Sequence, residues 1–229
     1  MINTRSLVIS ISLAVLCMPL IYAQDLSRYR EFQLGMNLLA VAKQADVKPS
    51  EARVVYQRPA VIHELEWRPR SSSSSSAQAD PVREILFSFY NDQLYRIVVS
   101  YDQVRTEGLT DEDLIEGISA KYGTPTMPVA KITSSSASQV YSDSEKVIAR
   151  WEDSQYSFNL FRSSYGSAPG MLVFSKQLEA LAQVAILKAI RLNDEEAPQR
   201  EIERQKKQAD EKRAAGQKAR PVNKANFRP

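Results

Sequence analysis

Cysteine and histidine are nearly missing from this chain. Cys17 is the one cysteine and His63 the one histidine among 229 residues. A disulfide framework is therefore excluded, and Cys- and His-rich metal sites and Ser-His nucleophile systems are nearly so. Glycine is also scarce, at seven residues, and none falls in a G-x-G-x-x-G pattern, so no phosphate-cradling loop is expected. The formal charge of +3 is unevenly placed. Residues 194–229 hold ten Lys/Arg and seven Asp/Glu, which leaves twenty of each in residues 1–193. A neutral body lacks the clustered basic face that a duplex-binding domain needs, so nucleic acid is not an expected partner.

The one long apolar run is Leu7 to Ile21, preceded by Arg5 and interrupted late by Pro19. It is short for a bilayer span, which takes about 20 residues. A basic start, an apolar middle and Ile21-Tyr22-Ala23 predict an export signal over residues 1–23, cleaved after Ala23. The chain is then periplasmic or secreted; retention of the segment as an N-terminal anchor is the alternative. Cys17 lies inside this segment. Lipid attachment there would want a small residue just before it, but Leu16 occupies that position. The mature chain would contain no thiol.

Val82 to Tyr101 is the stretch around which the remainder is organised. Two β-branched and aromatic runs flank Asn91-Asp92-Gln93, which predicts a β-hairpin. A three-residue loop sets Ile85 opposite Val99, Phe87 opposite Ile97 and Phe89 opposite Tyr95, making one face wholly apolar or aromatic. The other face mixes Glu84, Leu86, Ser88, Arg96 and Val98. Upstream, residues 26–36 fit a short strand or a helical turn. Asn37 caps a helix running to about Val47, stopped by Pro49, and a strand spans Val61 to Arg68. The hexaserine run Ser71–Ser76 reads as a flexible loop between strands.

The second half opens with the clearest helix, Thr110 to Tyr122. Thr110 is its N-cap, Asp111, Glu112 and Asp113 fill the first turn, and Gly123 and Pro125 end it. Strands follow at Val147–Trp151, Tyr156–Phe161 and Met171–Phe174. Lys176 to Leu192 is a helix that is apolar on most sides, which predicts burial on more than one side or a partner. The last 36 residues read as a charged, solvated helix fraying near Gly216 and Pro221. Glu196–Arg200 and Glu203–Lys207 are i,i+4 pairs, and Ile202 is the one large apolar residue before Arg213.

The two halves share an order of helix, strand, strand, strand. Gly35-Met36-Asn37 and Gly108-Leu109-Thr110 each place a glycine, an apolar residue and an N-cap before the helix. The next strands begin Val61-Ile62 and Val147-Ile148 and end in Trp67 and Trp151. The fold class is α+β: two αβββ units, about 26–106 and 107–192, with antiparallel sheets covered by helices, plus a charged tail over 193–229. This order, with Gly123-Thr124-Pro125 closing the second helix, resembles the superfamily of β-lactamase-inhibitory proteins and small outer-membrane assembly lipoproteins, which are exported bacterial αβββ modules. The resemblance covers residues 32–176. The first unit departs from it at Val47-Lys48-Pro49, which has no glycine. The resemblance implies binding to other proteins rather than catalysis.

His63-Glu64-Leu65-Glu66-Trp67 is no zinc motif, because the second histidine is missing and the segment reads as a strand. His63 is expected as a packed, hydrogen-bonded residue. Asp111 and Asp113 lack the spacing of a calcium loop and are explained by capping. Glu64 and Glu66 share a strand face about 7 Å apart, as an acid/base pair would, but also as a solvated face opposite Arg68 and Arg83 would. The expectation is an exported, non-enzymatic module of the cell envelope that binds another protein and takes no cofactor or metal. The alternatives are an envelope hydrolase using Glu64 and Glu66 with Arg68, and an adaptor whose basic tail touches an anionic surface.

Overall fold

A computed structural model describes residues 25–69, 80–126, 145–163, 168–226 and 228. The expected export signal over residues 1–23, the hexaserine run and the polar stretch 134–144 lie outside the described residues.

Alternating apolar residues build seven strands into one antiparallel sheet: β3 (Arg53–Tyr56), β4 (Ile62–Trp67), β5 (Val82–Tyr90), β6 (Gln93–Tyr101), β7 (Glu145–Glu152), β8 (Tyr156–Ser163) and β9 (Pro169–Ser175). Their spatial order is β3-β4-β5-β6-β9-β8-β7. Two short strands, β1 (Arg28–Tyr29) and β2 (Phe32–Gln33), pair separately. Helix α1 (Leu38–Gln44) precedes the β4-β5-β6 meander and α2 (Asp111–Tyr122) precedes β7-β8-β9. The meanders are joined where β6 pairs with β9, from Arg96↔Phe174 to Ser100↔Gly170. The fold is thus α+β with a single continuous large sheet. The edge strand β3 was not foreseen.

Side chains alternate across the sheet, so each strand contributes to two faces. On one face Leu65, Ile85, Phe87, Phe89, Ile97, Val99, Trp151, Phe158, Met171 and Val173 are buried together with Leu26 and Phe32. Val41, Ala42 and Ala45 at α1, and Tyr122, Leu114, Ile115 and Ile118 of α2, cover them. Leu114 and Ile118 sit at the margin of this core, half-buried, because α2 turns a narrow stripe inward. Asn37 caps α1 by accepting from Ala40 N at 2.8 Å, and Thr110 with Asp113 forms a reciprocal capping box on α2.

The central hairpin keeps the expected Ile85↔Val99 and Phe87↔Ile97 register, but its loop has two residues rather than three. Asn91 and Asp92 both take left-handed backbone angles, with φ of 45° and 66°, as a tight primed turn requires. Their side chains hold the turn in place. Asn91 Oδ1 accepts from Val61 N at 3.0 Å and Asp92 Oδ1 from Leu38 N at 3.0 Å. Phe89 faces Leu94 instead of Tyr95, because a bulge absorbs one residue of β6. The extra residue, Tyr95, is buried on the opposite face against Ile62 and Ala182.

Candidate functional site

That opposite face receives α3 (Lys176–Asn226), a helix of 51 residues that starts directly after β9. Its first turn is fastened by Lys176, whose Nζ donates to Asp153 O at 2.6 Å and pairs with Glu152 at 2.9 Å. Ala182, Ala185 and Ala189 are buried on the inward side, where their small side chains let the helix approach closely. Leu178 and Ile186, like Val55, Tyr56 and Tyr90 of the sheet, pack against the buried cluster of Ile62, Tyr95 and Ala182.

A buried ion pair locks this contact. Arg96 Nε donates to Glu179 Oε2 at 3.0 Å, and Nη2 donates to Oε1, while Gln183 Nε2 donates to the same Oε1 at 2.9 Å. The two side chains are 18% and 7% exposed. Burial opposes the charge on Arg96, but the hydrogen bonds and field of Glu179 hold its pKa above the ordinary value. Further along, Arg58 in the loop after β3 pairs with Glu196. The expected Glu196–Arg200 pair is therefore replaced: Arg200 donates instead to Asn193 O at 2.7 Å.

The side of α3 turned away from the sheet is bare over its first four turns. Leu181 is 45% exposed, Val184 68%, Leu187 56% and Ile190 42%. Lys188 and Arg191 stand exposed beside them. The helix is thus buried on one side rather than several. It also runs without a break into the charged segment and through Pro198 and Pro221 to Asn226, so the expected fraying near Gly216 is not found. Residues 193–226 add about 50 Å of helix at about 1.5 Å per residue. Among the described residues no helix is long and apolar enough to cross a membrane.

Glu64 and Glu66 sit on the α3 side of β4, opposite Ser88 and Leu86. Each is taken by a different arginine. Arg53 Nη2 lies 2.6 Å from Glu64, and Arg68 Nη2 lies 2.6 Å from Glu66 and 3.1 Å from Glu84. Arg68 thus faces the carboxylates as expected, and Arg53 of the unforeseen β3 supplies the second cation. His63 lies on the core-side face of β4 and is only half-buried; its Nδ1 is buried with no hydrogen-bond partner among the described residues, which departs from the bonded role expected of it. Asp111 accepts from Arg162 Nε at 2.7 Å, and Asp113 works in the capping box. The described residues contain no cluster of three or more His, Cys, Asp or Glu arranged to hold a metal.

A groove of about 210 Å³ lies between α2 and the β1–β2 segment, lined by Tyr29, Tyr101, Tyr122, Arg30, Lys121 and Met171 among others. The hydroxyls of Tyr29 and Tyr101 are 3.4 Å apart, and Tyr122 donates to Arg28 O at 3.4 Å. Burial raises all three phenol pKa values, that of Tyr122 to about 12. Arg30 is held by a two-pronged pair with Asp80 at 2.7 Å. These groups close the groove on themselves.

Compared with protein-family models, curated proteins and solved structures, the chain gives no match. Among the described residues the apolar strip stays exposed, and the charged helix that follows it is joined to the rest of the fold by the Arg58–Glu196 pair. The apolar pattern of residues 176–192 signalled the strip. The Arg96–Glu179 lock carried no local signal, because its two halves lie 83 positions apart.

Proposed function

We propose that this chain is a non-enzymatic protein-binding module of the cell envelope, and that the outer side of α3 is its contact. The observation that carries this reading is the strip Leu181–Val184–Leu187–Ile190, four large apolar side chains exposed on a helix whose other side is locked to the sheet. Scattered apolar residues on a surface need no explanation, but a contiguous strip on a rigid element costs hydration and marks an interaction site. Lys188 and Arg191 rim it, so the partner presents an apolar ridge with acidic neighbours. The pairing of Glu64 and Glu66 with separate arginines favours binding over carboxylate catalysis. The resemblance to exported αβββ modules points the same way, and the apolar N-terminal run supplies the route out of the cytoplasm.

A comparison of wild type with a Val184→Asp/Leu187→Asp variant tests this. Both positions are more than half exposed, so the variant should melt like wild type. Cross-linking in intact cells should join wild type to a discrete partner and leave the variant unjoined. The same products from both proteins would overturn the reading.

A further inference from the structure

We propose that the distal part of α3 lies along an anionic phospholipid bilayer, through one side formed by Lys206, Arg213, Arg220 and Lys224. This inference does not rest on the protein-binding reading; it concerns a different stretch of the helix and a different chemistry.

The four residues are spaced seven, seven and four apart. At about 3.6 residues per turn, such spacing places them on one side of a helix, over a length of about 27 Å. That side continues the direction of Val184, Lys188 and Arg191, which face away from the sheet. All four cations are exposed, and none makes an ion pair among the described residues. Of the acids between Glu195 and Asn226, Glu195 alone shares the middle of this side; Glu196, Glu201, Glu203 and Glu211 lie elsewhere around the helix, and Asp210 lies at the edge. The opposite side also carries cations, Arg200, Arg204, Lys207 and Lys218, but it mixes them with acids. Arg204 is bound by Glu201 through two 2.9 Å hydrogen bonds, and Arg200 is turned onto a backbone carbonyl. Charge on α3 is therefore segregated by side and not only by position. From Lys212 to Arg228 there are six basic residues and no acidic one.

A helix with a row of cations along one side, none of them in an ion pair among the described residues, matches a continuous anionic surface. Nucleic acid fits less well. Residues 195–226 contain no aromatic side chain on which a base could stack. Ile202 and Val222 are the only large apolar residues of this stretch, so the helix adsorbs to head groups rather than sinking between acyl chains. Adsorption of this kind weakens as salt screens the row.

The test uses the full chain, so that any insertion of the apolar N-terminal run is common to every arm. Protein is mixed with vesicles of three parts phosphatidylcholine to one part phosphatidylglycerol, or of phosphatidylcholine alone. Trypsin cleavage after Lys212 is then followed by mass spectrometry. Anionic vesicles should slow this cleavage about ten-fold or more relative to neutral ones at low salt, and 0.5 M salt should remove the protection. A Lys206→Glu/Arg213→Glu/Arg220→Glu/Lys224→Glu variant should lose the protection. An Arg200→Glu/Arg204→Glu/Lys207→Glu/Lys218→Glu variant carries the same charge change on the other side and should keep most of it. Equal loss in both variants would overturn the proposal, since only net charge would then matter. So would equal protection by neutral vesicles. Protection without vesicles that rises with protein concentration would also overturn it, by assigning this side to a second copy of the chain.

Discussion

Arg96, in the middle of the sheet, and Glu179, one turn into α3, form a buried ion pair 83 positions apart that holds helix to sheet. Breaking such a pair from one side leaves a charge buried without compensation, which costs about 3–5 kcal/mol. Glu179→Ala should therefore destabilise the protein by about 3 kcal/mol in denaturant melts, with Arg96 left stranded. Arg96→Met combined with Glu179→Leu removes both charges and should recover most of that loss. If the double variant is no better than the single one, the pair does not act as the lock described.

The tyrosine groove makes a pH prediction. Burial raises the pKa of Tyr29, Tyr101 and Tyr122, the last to about 12, above an unfolded value near 10. The folded state thus keeps these phenols protonated where the unfolded chain would release the protons. The stability they contribute is fully present below about pH 10 and is lost as pH rises towards 12. Denaturation midpoints should fall across that window while phenolate absorbance rises. Replacing Tyr122 by Phe should shrink the fall and, at neutral pH, cost about 0.5–1.5 kcal/mol for the lost hydrogen bond.

Gly123 ends α2 with φ of 74° and ψ of −168°, a combination that is essentially restricted to glycine. Its carbonyl accepts from the indole of Trp151 at 2.7 Å, which ties α2 to β7. Gly123→Ala should cost about 1–3 kcal/mol from strain alone. Trp151→Phe, which keeps the ring but removes the donor, tests the second half of the link by the same melts.

The export reading predicts that protein recovered from the cell envelope begins at Gln24. Intact-mass measurement settles it: a chain that still carries residues 1–23 would mean that the segment is kept.

Sequence patterning located every strand of the two meanders: β4 and the central hairpin alternate, while β9, buried on both faces, reads as the short apolar run Met171–Phe174. It also located α2, whose cap residues are local in sequence. The paired order of Ile85–Val99 and Phe87–Ile97 followed from the need to keep one face apolar. The turn did not. Two consecutive left-handed residues and a bulge at Tyr95 satisfy the same face with one residue fewer in the loop, and alternation alone cannot separate the two solutions. Strand β3 was hidden because it is four residues long and exposed on its outer half. The joining of β6 to β9 was hidden for another reason: alternation marks which residues form strands but not which distant strands pair. The strip on α3 was legible as an excess of apolar residues, though not which of them the sheet would cover. The unbroken run through Pro198 ran against the expectation of a separate tail, since proline removes one backbone bond and yet leaves its neighbours free to continue.

The place of β9 has a consequence for synthesis. Of the seven strands of this sheet it leaves the ribosome last, but it occupies the interior of the sheet, between β6 and β8. Until Ser175 has emerged, the β3–β6 meander ends in an unpaired edge along β6 and the β7–β8 hairpin in another along β8. A chain stopped at residue 168 would not be a trimmed version of the protein. It would be two unjoined sheets, each presenting a sticky inner border to whatever strand comes first.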